Sequence, residues 1–136
     1  MTRVQELIDS GTVVTRGALD FDARGDGISP RRLPAWTRVQ LPEMMDVMVR
    51  MPSGVRLQFN TDATSLALGF HAANTVMPGR DRRPVTLNLE TGPTLVSFAS
   101  DKGNAIRVAP DGSFEVERGD ADVAVFDELP VGDKFV

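Results

Sequence analysis

Apolar and polar residues alternate twice within PSGVRLQFNTDATSLALGF, residues 52 to 70. Val55, Leu57 and Phe59 are spaced by Arg56 and Gln58, and the rhythm resumes at Leu66, Leu68 and Phe70. A period of two marks a half-buried strand, because successive side chains leave opposite faces of a pleated backbone. Asn60 and Asp62 stand between the runs as turn formers, so the stretch predicts two strands joined as a hairpin. The same alternation predicts a strand region over 13–23 through Val14, Leu19 and Phe21, and further strands over 85–90, 94–100, 105–109, 113–118 and 122–129. Between the later strands lie Thr91-Gly92-Pro93, Asp101-Lys102-Gly103-Asn104, Pro110-Asp111-Gly112 and Gly119-Asp120, all turn chemistry. Short strands at even spacing predict an all-β, antiparallel sandwich or barrel and not alternating β-α units, and of the two a β-sandwich is the expected fold. Its expected core comprises Leu19, Phe21, Val55, Leu57, Phe59, Leu66, Leu68, Val85, Leu87, Leu89, Phe114, Val116 and Phe126.

Helical signals are fewer. PEMMDVMVRMPSG (42–54) offers Pro42 at an opening position, Glu43 in the first turn and Gly54 beyond the end. Met44, Met45, Met48 and Met51 recur at helical spacing, which predicts one short amphipathic helix near residues 43 to 51 with methionine as core filler. A strand over 45–50 competes with that reading. Residues 2–10 fit a short helix or an edge segment. Residues 24–34, with two Gly and two Pro, read as a turn region, and 73–84 as a loop suited to a functional excursion.

Composition adds constraints. At 136 residues the chain has the length of a single domain, 1–136, and a domain of this size buries roughly two-thirds of its unfolded surface. A net charge of -4 without a Lys/Arg block provides no electrostatic footprint for nucleic acid. The absence of cysteine removes disulfides, thiolate metal sites and a cysteine nucleophile. The polar start MTRVQELIDSG lacks the apolar stretch of an export signal. No segment reaches the roughly 18 apolar residues that span a bilayer. These features predict a cytoplasmic chain without a membrane partner; a homo-oligomer is left open.

Candidate chemistry is thin. His71 is the only histidine, and no second ligand type clusters near it, so the expected role is a strand-end residue. DFDARGDG (20–27) is spaced like a calcium loop, but Arg24 occupies the third ligand position and opposes a cation. Arg24-Gly25-Asp26 within it reads as a turn. Trp36, the sole tryptophan, is expected to be a core or interface anchor, since a sugar platform would present several aromatics and this chain has no Tyr. Arg80, Arg82 and Arg83 could hold an anion or simply form a solvated loop face. There is no Gly-rich phosphate loop, nucleophile elbow or carboxylate pair, so no catalytic, cofactor or metal residue is assigned. Trp36, His71, Arg80, Arg82 and Arg83 are the candidate contacts.

Three stretches taken together carry a resemblance: GALDFDARGDGISPRRLPAW (17–36), MPSGVRLQFNTDATSLAL (51–68) and VGDKFV (131–136). Their order and spacing resemble the N-terminal, jelly-roll-like β-sandwich of bacterial SGNH (GDSL-type) hydrolases. The family's catalytic blocks are not here. The Gly-Asp pairs are followed by Gly27, Ala121 and Lys134, never by Ser, and Leu68 stands three residues before His71 where an Asp would be needed. The resemblance therefore implies a fragment, with Lys134-Phe135-Val136 opening a strand. Its partner would be the catalytic SGNH domain of the same parent chain. The expected function is a non-catalytic accessory domain of an esterase or acyltransferase, helping to shape its substrate site. A stand-alone carbohydrate- or small-ligand-binding module, or an oligomerisation domain, would fit the same residues.

Overall fold

The computed structural model describes residues 2–25 and 27–136. Short strands dominate the described residues and form several antiparallel sheets, consistent with the all-β sandwich that the alternation predicts. The aspartate completing Arg24-Gly25-Asp26 lies outside the described residues. The chain divides into two compact units: everything up to Thr61 together with Asp133–Val136, and Asp62–Gly132.

In the first unit a short helix, α1 (Val4–Asp9), leads into β1 (Val13–Arg16). The run 13–23 is not one strand. It breaks at Gly17, whose φ of 81° lies in the left-handed region, and a Cβ there would stand 2.5 Å from the Gly54 carbonyl oxygen. Beyond the break, β2 (Asp20–Arg24) and β3 (Gly27–Arg31) form an antiparallel ribbon with Phe21 opposite Pro30. The turn reading of 24–34 is corrected accordingly. A two-stranded ribbon has no central strand, so a proline without an N–H is tolerated in it.

A 3-10 helix (Ala35–Gln40) and α2 (Glu43–Met48) follow. The predicted helix is present but stops at Met48, so Met51 falls in the next turn and the methionine stripe is never completed. Met45 and Met48 are exposed, and Val49 is the buried residue. Methionine as core filler therefore fails at those two positions.

β4 (Arg56–Thr61) pairs antiparallel with β1, Val13 opposite Phe59. On its other side lies the last strand, β12 (Gly132–Phe135). Leu57 and Val136 exchange both backbone hydrogen bonds, at 2.6 and 2.9 Å. Lys134, fully buried, donates from Nζ to the Thr61 carbonyl at 3.0 Å.

The second unit begins with β5 (Leu66–Phe70). Both strands of the 52–70 stretch exist, yet they are not hairpin partners. β5 pairs instead with β11 (Asp122–Phe126), Leu66 opposite Phe126. Hydrogen bonds from the gap to the end of β11 accompany the choice: Ser65 Oγ donates to Asp127 at 2.5 Å, and the Leu129 backbone N–H donates to the Thr64 carbonyl at 2.8 Å. β6 (Ala73–Val76) occupies the start of the predicted loop and runs parallel to β9 (Asn104–Val108), which pairs antiparallel with β10 (Phe114–Glu117). β7 (Val85–Thr91) and β8 (Thr94–Ser100) form a hairpin across Gly92-Pro93, with Gly92 at φ 56°.

Leu89, Ala105, Ile106, Ala124, Phe126 and Leu129 are buried in this unit. Phe98 meets Phe70 and Phe126 edge-on, with ring centroids 6.3 and 6.5 Å apart. Of the expected core, Leu89 and Phe126 are fully buried and most of the rest are half-buried. Leu19 and Val116 are exceptions, 67% and 51% exposed, so they are removed from the core.

Candidate functional site

Two places gather the candidate residues, one in each unit. In the second, an open cleft of about 650 Å³ is lined by His71, Asn104, Val116, Arg118 and Gly119. Glycine builds it. A Cβ on Gly103 would run into the Ala72 carbonyl, and one on Gly119 into the Gly103 carbonyl, so three backbone segments stack closer than side chains permit. Polar groups in the cleft bond to one another. His71 Nε2 lies 2.9 Å from the Gly119 carbonyl oxygen and donates to it, while the Gly119 N–H donates to Asn104 Oδ1 at 3.0 Å. The strand-end role expected of His71 fits this geometry.

Nearby strand ends bring a serine to a carboxylate. Ser100 Oγ donates to Asp122 Oδ2 at 2.6 Å, Lys102 Nζ to Oδ1 at 3.1 Å, and the Val123 N–H to Oδ1 at 2.9 Å. A hydrolytic triad needs a histidine between serine and carboxylate; here the hydroxyl bonds to the carboxylate directly, which ties two strand ends together. Those donors, the Ser100 hydroxyl foremost, hold the Asp122 carboxyl below the ordinary aspartate range. Its contribution to stability is present above the unfolded-state value and lost as the pH falls through the lowered folded value. In Ser100→Ala, carbon-13 NMR titration of the Asp122 carboxyl should show the pKa rising toward the ordinary aspartate range; an unchanged titration would mean that the hydroxyl does not hold it.

The arginines of 80–83 differ in their surroundings. Arg82 Nη2 donates to the carbonyls of Lys102 and Gly103 at 2.9 and 3.0 Å. Arg80 and Arg83 are exposed, and the Arg83 carbonyl accepts from Asn74. Arg82 is thus a clamp on the β8–β9 connection.

In the first unit Asp20 faces backbone N–H donors and Asp22 faces guanidinium groups. Buried Arg31 donates from Nη1 to Asp22 at 3.2 Å and to Asp46 at 3.0 Å. Arg38 pairs with Asp22, and Arg50 with Asp46. Asp20 accepts the Ala35 N–H at 3.0 Å and the Phe21 N–H at 2.9 Å. These two donors, Ala35 first, hold the Asp20 carboxyl below the ordinary range. The cluster ties the β2–β3 ribbon, the 3-10 helix and α2 into one body. On that body Trp36 is 70% exposed, so of the two roles expected of it the core role falls.

The cluster was missed in the sequence. Its one readable signal is Asp46–Arg50, an acid four residues ahead of a base on a helix; Arg31–Asp22 depends on the ribbon register. Among the described residues, no helix is long and apolar enough to cross a membrane.

A family model described as "SsfX3, N-terminal domain" matches residues 13–109. Among solved structures, one described as "Salicylyl-Acyltransferase SsfX3 from a Tetracycline Biosynthetic Pathway" is similar at a TM-score of 0.68 and 23% sequence identity. The match covers 91% of this chain and 31% of that chain. A search of curated proteins returned no significant match.

Proposed function

The chain belongs to the SsfX3 N-terminal domain family, and from that premise we propose that it is the non-catalytic accessory domain of an acyltransferase or esterase. The family match over 13–109 carries the reading. The fold match supports it, since this chain spans 31% of the SsfX3 acyltransferase chain and leaves room there for a separate catalytic body. The side-chain chemistry agrees: Ser100, Asp122 and His71 are engaged as structural ties. In the finer form of the proposal, the parent is an SGNH-type enzyme with its serine nucleophile on the catalytic domain. Residues 1–136 pack on that domain and help shape the acyl-substrate site.

The test is direct. A fluorophosphonate probe and a p-nitrophenyl ester assay are applied to the 136-residue chain and to the full parent polypeptide. The parent is expected to be labelled on serine and to turn over ester, and the 136-residue chain to do neither. Labelling or turnover by the short chain would overturn the reading.

A stand-alone sugar-binding module is the competing reading, favoured by the exposed ring of Trp36. Saturable binding of the 136-residue chain in a glycan titration would support it.

A further inference from the structure

We propose that the two helical segments between β3 and β4, through Leu33, Trp36, Val39, Met45 and Met48, form the docking face for the catalytic domain of the parent chain. This inference rests on the accessory-domain reading and assigns the surface that it needs. Exposed apolar residues scattered singly are ordinary, whereas several within one short stretch mark an interaction surface. Here five fall within 33–48: Val39 is 91% exposed, Trp36 70%, Met45 46%, Met48 43% and Leu33 36%.

The stretch is held in shape before any partner arrives. Asp20 takes the Ala35 N–H, Thr37 Oγ1 donates to the Pro34 carbonyl at 2.7 Å, and Arg38 is anchored to Asp22. Arg32 Nη2 donates to the Met48 carbonyl at 3.0 Å, and Arg31 joins Asp22 to Asp46 beneath both segments. A preordered surface loses little conformational freedom on association, and tryptophan is enriched among the residues that carry most of an interface's binding energy.

The occupant follows from length and chemistry. The chain is an N-terminal domain by family and spans 31% of a structurally similar acyltransferase, so a neighbour on the same polypeptide is the partner present at the highest effective concentration. Interfaces between domains of one chain typically cover about 600–1,500 Å². A small polar ligand would need convergent free polar groups, and Asp22 and Asp46 beside this surface are committed to Arg31, Arg38 and Arg50.

Hydroxyl-radical footprinting reads this surface, because tryptophan and methionine are readily oxidised when exposed. The 136-residue chain and the full parent are labelled side by side, with Met77, 51% exposed in the second unit, as the internal reference. Modification of Trp36, Met45 and Met48 should fall by roughly fivefold or more in the parent, as water is excluded from an interface centre, while Met77 stays constant. Val39→Glu in the parent should restore labelling of both methionines. Protection at Met77 with none at Trp36 would overturn this docking face and leave the accessory-domain reading standing. Protection nowhere would overturn both. Protection of Trp36 that grows with concentration in the 136-residue chain alone would identify a second copy as the occupant and overturn the proposal.

Discussion

Arg31→Ala should lower the stability of the chain by about 3–5 kcal/mol, the range for removing one partner of a buried ion pair. A domain of this size has roughly 5–15 kcal/mol in total, so urea unfolding followed by far-UV circular dichroism should show the midpoint collapsing. Asp22 and Asp46 are largely buried, with side chains 14% and 15% exposed; Arg31 hydrogen-bonds to both, and Arg50, bonded to Asp46, comes within 3.8 Å of Asp22. Burial pushes the Asp46 carboxyl up, but the hydrogen bonds from Arg50 and Arg31 outweigh this and hold it below the ordinary range. A carboxyl depressed in the folded state contributes stability above its unfolded value, roughly 3.9. That contribution is lost as the pH falls through the lower folded value, so wild type and variant should converge in acid. Arg31 also carries a cost: its Nε and Nη2 are buried with no hydrogen-bond partner among the described residues. Arg31→Met keeps most of the apolar stem and removes only the charge. If Arg31→Met matched wild type at neutral pH, the desolvation cost would be offsetting both ion pairs and the electrostatic account would fail.

The strands were legible because alternation is a local signal, and β7, β8 and β11 lie where Val85–Leu89, Thr94–Ser100 and Val123–Phe126 predict them. Pairing was not, because register depends on residues far away in sequence. β4 and β5 alternate within one short stretch, yet β4 joins β1 and β5 joins β11 through contacts such as Ser65–Asp127. The ribbon of β2 and β3 was hidden by Gly27 and Pro30, turn residues that a two-stranded ribbon accepts. The methionines misled for a related reason: helical spacing shows which residues share a face, not which way that face points.

The same limit governed the candidate contacts. Trp36 could be singled out as the sole tryptophan, but whether it was core or surface depended on Asp20, Asp22 and Arg38 fixing the 3-10 helix. Arg80, Arg82 and Arg83 looked alike in sequence, and only tertiary structure separates the clamp at Arg82 from its exposed neighbours.

Gly103→Ala should cost about 3 kcal/mol, combining roughly 1–2 kcal/mol for a left-handed backbone with a side chain and about 1–3 kcal/mol for overpacking. Gly103 has a φ of 99°, and its missing side chain leaves room for the Ala72 carbonyl. Its own carbonyl in turn fills the space that a Cβ on Gly119 would need. The substitution therefore pushes on both sides of the stack: toward Ala72, next to His71, and toward Gly119, whose carbonyl His71 holds. Gly112→Ala is the matched control, because Gly112 has a similar φ of 85° and open space around it, so it carries the conformational cost alone. The excess loss in Gly103→Ala over Gly112→Ala measures the collision. Proton–nitrogen NMR should show the His71 and Gly119 signals shifting in the first variant and not in the second. Equal losses in the two variants would mean that the backbone can separate without penalty, and the close stack would no longer account for the shape of the cleft.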